Sequence, residues 1–260
     1  MKYILDVDAS KVIEAVRSTG VTITPAMMHY AHVICSGLKS TGMWQNSVAI
    51  YGFVGGTSAA HKFNWKDLRD VDAAYRLTFQ SGISHNSLGI IGDGTVNGFC
   101  DTYINAFSHL GFNSNHVSVY SSTSNLTSGN MNEWGARDTT NTSNSFTLGI
   151  AVQNLILYDS PRRVAAVNTN SRGMFIGSRT SSTLNNVFKD GNLLASNTAV
   201  NNFQLPSEFN LTLLKANNVG ATSPSTRRIP FTSIGSGLTN QICISSSQII
   251  SQAQNILNRA

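Results

Sequence analysis

Between Arg76 and Phe231 the chain is cut into short runs in which apolar and polar residues alternate. Arg76-Leu77-Thr78-Phe79, His116-Val117-Ser118-Val119-Tyr120, Phe146-Thr147-Leu148-Gly149-Ile150 and Leu155-Ile156-Leu157-Tyr158 show the pattern first. Met174-Phe175-Ile176, Asn186-Val187-Phe188-Lys189, Leu193-Leu194-Ala195, Leu211-Thr212-Leu213-Leu214 and Ile229-Pro230-Phe231 continue it. A period of two is that of a strand with one face in a core, and clusters of Gly, Asn, Ser and Asp part the runs at roughly 8–15 residues, the spacing of sandwiches. Asp190-Gly191 between two runs marks a hairpin, because both central residues of a type I′ turn need positive φ. Composition agrees. Charged residues make up only 12% of the chain, against roughly 25% in an average domain, and Ser, Thr and Asn fill the gap. A helical bundle would instead be rich in Glu, Lys and Leu. The expected fold is mainly β, an antiparallel β-sandwich.

The two ends differ. Ala9-Ser10 ahead of Val12, Ile13 and Val16 predicts an N-cap and a short helix ending at Gly20. Thr24-Pro25 opens a second helix, with Thr24 as N-cap and Pro25 at the first helical position, where a missing N–H costs nothing; Gly42 closes it. The apolar run from Ala49 to Gly56 reads as a buried strand or a linker. Ile249-Ile250, Ala253 and Ile256-Leu257 predict a C-terminal helix. This organisation divides into residues 1–60, a helical attachment or oligomerisation region, and residues 61–260, the sandwich. Sixty residues bury little alone, so the helices must dock on the sandwich, on a second copy or on another protein. The polar stretch from Ser121 to Ser145, interrupted by Trp134, is expected to be an exposed loop.

Several classes are disfavoured. No stretch approaches 18 uninterrupted apolar residues, so no membrane insertion is expected, and the start of the chain shows no secretory signal. Cys35, Cys100 and Cys243 are widely spaced and read as buried free thiols. Net charge is +5, yet the basic residues are scattered and only Arg162-Arg163 and Arg227-Arg228 are adjacent. A nucleic-acid binder concentrates such charge on one stripe, so no nucleic-acid partner is expected.

Three segments carry a resemblance. Gly89-Ile90-Ile91-Gly92-Asp93-Gly94-Thr95-Val96-Asn97-Gly98-Phe99 resembles the "F-D-G-x-x-D-Y" strand and turn of concanavalin A-like, laminin-G-type lectin and glucanase sandwiches. Val187-Phe188-Lys189-Asp190-Gly191-Asn192-Leu193-Leu194 is similar to their "Y-V-D-G-x-L-V" hairpin, and Phe231 to Thr239 resembles their last strand and exit helix. The chain as a whole resembles virion proteins of tailed bacteriophages, including relatives of the crAss-like gut phages. That likeness lies in Gly42-Met43-Trp44, Ala49-Ile50-Tyr51, Phe53-Val54-Gly55-Gly56, His61-Lys62-Phe63-Asn64 and Ser171 to Thr180, with Gly52 standing where a Pro is expected. The resemblance implies a tail-fibre, head-fibre or other virion surface component, assembled in the bacterial cytoplasm as a homo-oligomer, with trimers suiting it. Its partners would be other virion proteins and host cell-surface polysaccharide. A purely structural decoration or connector module is the alternative. The sequons at Asn125, Asn141 and Asn210 are then chance matches.

Sandwich glucanases place acids on one strand as E-x-D-x-x-E, about 5 Å apart for retention. Here Glu14, Glu133 and Glu208 are the only glutamates and none falls in such a strand. Asp67, Asp70 and Asp72 sit beside Arg69 and Arg76 and read as surface ion pairs. No G-x-S-x-G elbow is present, and His29 with His32 lacks a third metal ligand. A depolymerase therefore ranks low, and the chain is expected to be no enzyme, with no catalytic residues. No cofactor is expected, although Asp93, Asn97 and Asp101 offer oxygen ligands for calcium on a turn. Sugar recognition needs a flat apolar face beside amides, carboxylates and guanidinium groups. Asn132, Glu133, Trp134, Arg137 and Asp138 supply that set and are the glycan-binding candidates, with packing of Trp134 against the sandwich or a neighbouring subunit as the other reading, slightly favoured over sugar contact.

Overall fold

In the computed structural model of the chain, residues 4–124, 131–152, 155–160, 162–200, 204–217 and 223–260 are described. Helix α1 (Val7–Ser18) begins earlier than the Ser10 cap would place it. The Asp6 carboxylate accepts from the backbone N–H groups of Asp8 (2.9 Å) and Ala9 (3.3 Å) and so caps it. Helix α2 (Pro25–Thr41) starts as expected, Thr24 Oγ1 accepting from Met27 N, and it ends at Gly42 with φ 89°, a conformation that needs glycine. A single turn, α3 (Met43–Asn46), leads into strand β1 (Ser47–Tyr51), and α4 (Ser58–His61) follows.

The strands then come in order. They are β2 (Thr78–Phe79), β3 (Ile83–Asn86), β4 (Gly89–Gly92) and β5 (Cys100–Asn105), followed by the short helix α5 (Ala106–His109) and β6 (Asn115–Ser121). Next are β7 (Trp134–Arg137), β8 (Ser145–Val152), β9 (Leu155–Ser160), β10 (Arg162–Val167), β11 (Gly173–Ser181) and β12 (Leu184–Lys189). After β13 (Asn192–Asn197), β14 (Asn210–Leu213), β15 (Arg228–Ile229) and β16 (Phe231–Gly235), the chain closes with α6 (Asn240–Ile256). The β12–β13 hairpin turns at Asp190 (φ 51°) and Gly191 (φ 81°), as the sequence predicts.

The protein is mainly β, with three antiparallel sheets among the described residues. One has six strands in the order β1-β16-β6-β11-β12-β13, one seven in the order β10-β9-β8-β7-β14-β5-β2, and a small one joins β15, β4 and β3. Between the two large sheets lies one core, built from Trp134, Phe146, Leu148, Ile150 and Tyr158 on one side and Val117, Val119, Phe175, Val187 and Ile234 on the other. Alternation supplies it. Strands β6, β11, β12 and β16 of the six-stranded sheet send their other face, with Tyr120, Met174, Ile176, Phe188 and Phe231, into a second core beneath α1, α2 and α6.

The expected boundary at residue 60 does not separate two cores. β1 pairs with β16 inside the six-stranded sheet, and the N-terminal helices share their core with α6 and with that sheet's outer face. The helices therefore dock on the sandwich of their own chain. The stretch 121–145 is likewise not one loop, since Ser121 ends β6, Ser145 starts β8 and β7 lies between them; its residues 125–130, with the sequon at Asn125, are outside the described residues. Cys35, Cys100 and Cys243 are buried free thiols. No helix among the described residues is long and apolar enough to cross a membrane.

Candidate functional site

The outer face of the seven-stranded sheet contrasts with that of the six-stranded sheet, since α1, α2 and α6 all pack on the latter. Its composition follows from the strand period. Register aligns Thr78, Asp101, Thr212, Gly135, Thr147 and Asp159 in one row across six strands, every one small or polar. Their chain neighbours Cys100, Leu213, Trp134, Leu148 and Tyr158 point the other way, into the core.

Gly135, Thr212 and Asp159 of this row are buried, Ala216 lying over Gly135 and Thr212 Oγ1 donating to Lys215 O, while the half-buried Tyr103 lies at the β5 end of the face. Between the pairs Asn210↔Asn105 and Thr212↔Asp101 the register of β5 and β14 slips, so β5 bulges at residues 102–104. At the bulge Tyr103 takes φ 57°, a left-handed conformation rare for a bulky residue. Three contacts hold it there. Asp101 Oδ1 accepts from Tyr103 N at 2.8 Å, the phenol shares a hydrogen bond with Thr78 Oγ1 at 2.8 Å, and Thr102 Oγ1, beneath, donates to Leu211 O at 2.7 Å. Backbone strain that the surroundings fix in this way is concentrated at functional sites.

A second aromatic in the same conformation lies nearby. Tyr75, also at φ 57°, stacks edge-on against His109 with ring centres 5.2 Å apart, and its carbonyl accepts from Tyr51 Oη at 2.6 Å. Phe107 on α5 is 54% exposed. Arg76 is held by Asp72 (2.8 Å) and Asp70 (3.2 Å), while Asp70 also pairs with Lys62. The expected surface ion pairs thus form, and they flank the site. Further along the same face Asn210 Nδ2 reaches Asp101 Oδ1 at 3.5 Å, Asn217 Nδ2 donates to Asn210 O at 3.0 Å, and Asn217 O accepts from Arg137 N at 3.0 Å. Hydroxyls, amides, a carboxylate, a guanidinium and an aromatic ring therefore share one surface.

The predicted glycan-binding set is scattered. Trp134 has no exposed surface; it lies in the inter-sheet core, its indole Nε1 donating to Thr232 Oγ1 at 2.6 Å. Glu133 is equally buried and pairs with Arg227 at 2.6 Å. Asp138 is 3% exposed and accepts from Ser207 N and Glu208 N, both at 2.9 Å. These three are corrected: alternation turns Trp134 inward when Gly135 and Arg137 face out, Glu133 is enclosed by Ser225, Arg227 and Ile150 N, and Asp138 is taken up by the backbone of residues 207–208. Asn132 is half-buried beside Ser223, to whose carbonyl its N–H donates. Arg137 alone of the five projects from the sheet's outer face. The sequence did not single out Tyr103, because a bulge leaves no mark in a pattern of period two.

The calcium candidates do not converge. Asp93 Oδ1 accepts from Thr95 N and Thr95 Oγ1, both at 2.8 Å, closing the turn that precedes Asn97; these contacts hold its carboxyl below the usual range. Asp101 instead belongs to β5 and caps the bulge. No group of three His, Cys, Asp or Glu side chains able to hold a metal occurs among the described residues. His29 and His32 lie on α2, where His32 Nδ1 accepts from Asp6 N at 3.0 Å.

No protein-family model and no curated protein matches the sequence. Solved structures do match in fold. A Trypanosoma rangeli sialidase in complex with 2,3-difluorosialic acid, a covalent intermediate, superposes with a TM-score of 0.54 at 10% identity, over 87% of this chain and 39% of that one. The botulinum neurotoxin serotype G binding domain gives 0.51 at 11%, over 81% and 51%, and the serotype D binding domain 0.51 at 10%, over 80% and 51%. The chain thus spans about two fifths of the sialidase and half of the toxin domains. At such identities the likeness is one of fold. It nevertheless corrects the expectation of a non-enzymatic chain, because the same architecture occurs within sialidase chains and gives no ground for excluding catalysis.

Proposed function

We propose that this chain is a glycan-binding, concanavalin A-like sandwich on the surface of a bacteriophage particle, a fibre or other receptor-binding component that meets host polysaccharide. One observation carries the reading: the polar outer face of the seven-stranded sheet, from which the bulge of β5 lifts Tyr103. Sugars present C–H faces for an aromatic ring and hydroxyls for amides and carboxylates, and Tyr103, Asn210 and Asp101 offer those partners side by side. The lectin-type hairpin and exit-strand segments, and the fold shared with sialidases and toxin binding domains, support it. The phage assignment rests on the resemblance of the segments from Gly42 to Asn64 and from Ser171 to Thr180.

A glycan array probed with the purified chain, followed by titration of the best hits, tests the proposal. Tyr103→Ala is expected to weaken binding tenfold or more, a change of about 1.4 kcal/mol, while leaving the melting temperature within a few degrees. Reducing-sugar release in the same samples shows whether the bound glycan is also cleaved. Binding that Tyr103→Ala leaves untouched, or no binding to any host polysaccharide, would remove the reading in favour of a structural connector.

A further inference from the structure

We infer that the outer face of the seven-stranded sheet takes an acidic sugar, and that Arg137 holds its carboxylate; the inference rests on the glycan-binding reading above. Cations near this face are mostly engaged. Arg76 is bound by two aspartates, Arg163 faces Asp159 at 3.6 Å, and Lys215 donates to Val96 O at 3.1 Å and lies 4.3 Å from the centre of the Phe99 ring. Arg137 differs from all three. Among the described residues its guanidinium makes no hydrogen bond, ion pair or ring contact, although its backbone N–H is fixed on Asn217 O.

Its placement is determined by the strand. Trp134 and Ala136 are core residues, so Gly135 and Arg137 face outward on the side of Asp101 and Tyr103. From Arg137 the surface runs through Asn217 and Asn210 to Asn105 and the bulge. Only β14 lies between β7 and β5, so at about 4.8 Å per strand those two steps span about 10 Å. That is the footprint of an oligosaccharide rather than a single ring, with the aromatic contact at one end and an uncommitted guanidinium at the other. A guanidinium carries five N–H donors in a planar fork that matches a carboxylate's two oxygens. Between the two ends Asn217 and Asn210 use their Nδ2 groups on Asn210 O and Asp101 Oδ1, and their amide oxygens suit sugar hydroxyls as acceptors. The ligand class is therefore a glycan bearing sialic or uronic acid.

The experiment compares oligosaccharides ending in sialic or uronic acid with the same oligosaccharides whose terminal carboxylate has been reduced to the alcohol. The native chain should bind the acidic forms at least tenfold more tightly, and the preference should shrink as salt is raised. Arg137→Gln should bring the ratio close to one, and Arg137→Lys should restore part of it. Lys11→Gln on α1 removes the same unit of charge far from the sheet and should leave the ratio unchanged. A thermal melt confirms that each variant is folded. Equal binding of acidic and reduced forms by the native chain, or an undiminished ratio in Arg137→Gln, overturns the role of Arg137 while glycan binding stands. Loss of every glycan signal in the native chain overturns both.

Discussion

Glu133 is a carboxylate with no exposed surface, and burial pushes its pKa up while the Arg227 guanidinium, Ile150 N and Ser225 Oγ favour its charged form. Such a pair stabilises little when complete, but removing one partner leaves an isolated charge inside. Arg227→Met is therefore expected to cost about 3–5 kcal/mol in urea denaturation, and adding Glu133→Leu should recover most of it. A double variant no more stable than the single would defeat this account. Histidines set the acid limit. Burial, helped by the neighbouring His85 ring, lowers His61 to about 3, and burial lowers His116 to about 4 against the favourable Ser236 carbonyl. Both pKa values fall below the unfolded value near 6.5, so the unfolded chain binds more protons under that pH and stability drops on acidification. The loss should begin near pH 6.5 and steepen to about 1.4 kcal/mol per pH unit per histidine before levelling off near pH 4 and pH 3. Thermal melts from pH 7 to pH 4 check this, and His116→Gln should flatten the slope. Residue identity showed the right chemistry in Glu133, Trp134 and Arg137 but not its direction, because which of two faces a residue takes depends on strand register.

At the scale of elements, packing between the two large sheets leaves no slack where Tyr158 of β9 faces Gly177 of β11. The Tyr158 ring lies directly on the Cα of Gly177, and its hydroxyl reaches Asn115 Oδ1 at 2.5 Å. A Cβ at residue 177 has no room, and an aromatic ring locked by its own hydrogen bond cannot move aside. Gly177→Ala is thus expected to destabilise the chain by about 1–3 kcal/mol, and Gly177→Ala with Tyr158→Leu to lose less than the sum of the two single changes, read from urea midpoints. Strict additivity would show that the ring is not the obstacle. Most elements were legible for local reasons. The runs at 116–120, 146–150, 155–158, 174–176 and 186–189 fall within β6, β8, β9, β11 and β12, and Thr24-Pro25 and Gly42 bound α2. β7 was not legible. Trp134-Gly135-Ala136-Arg137 has one large apolar residue and a glycine, and it is a strand only because β8 and β14 pair with it on either side. The bulge of β5 escaped for the same reason, since it arises between two strands more than a hundred residues apart.

The whole molecule is three layers deep, and the middle sheet is buried on both faces at β6, β11, β12 and β16, while Leu193 and Leu194 of its edge strand β13 are exposed. Tyr120, Met174, Ile176, Phe188 and Phe231 are at most 4% exposed on its helical side. Burial of large apolar side chains contributes about 1.5–3 kcal/mol each, so this face alone is worth on the order of 10 kcal/mol, as much as the net stability of a typical domain. Helix α6 covers part of it, but α6 itself leans on α2: Gln254 Nε2 donates to Tyr30 Oη at 3.2 Å, and Ile249 packs over Gly37. Arg259 ties the end of the chain to Gly52 O, Phe53 O and Ser87 O. A fragment of residues 61–260 would lose α1, α2 and the edge strand β1 together, exposing the outer face and the strand edge of β16 that β1 covers. It is expected to aggregate or to bind a hydrophobic dye without a cooperative melt, whereas the full chain melts in a single transition. A soluble fragment with a sharp melt would mean that the helices are an attachment carried by an independent sandwich. Retained glycan binding by that fragment would further place recognition wholly on the seven-stranded sheet, none of whose strands comes from the first sixty residues.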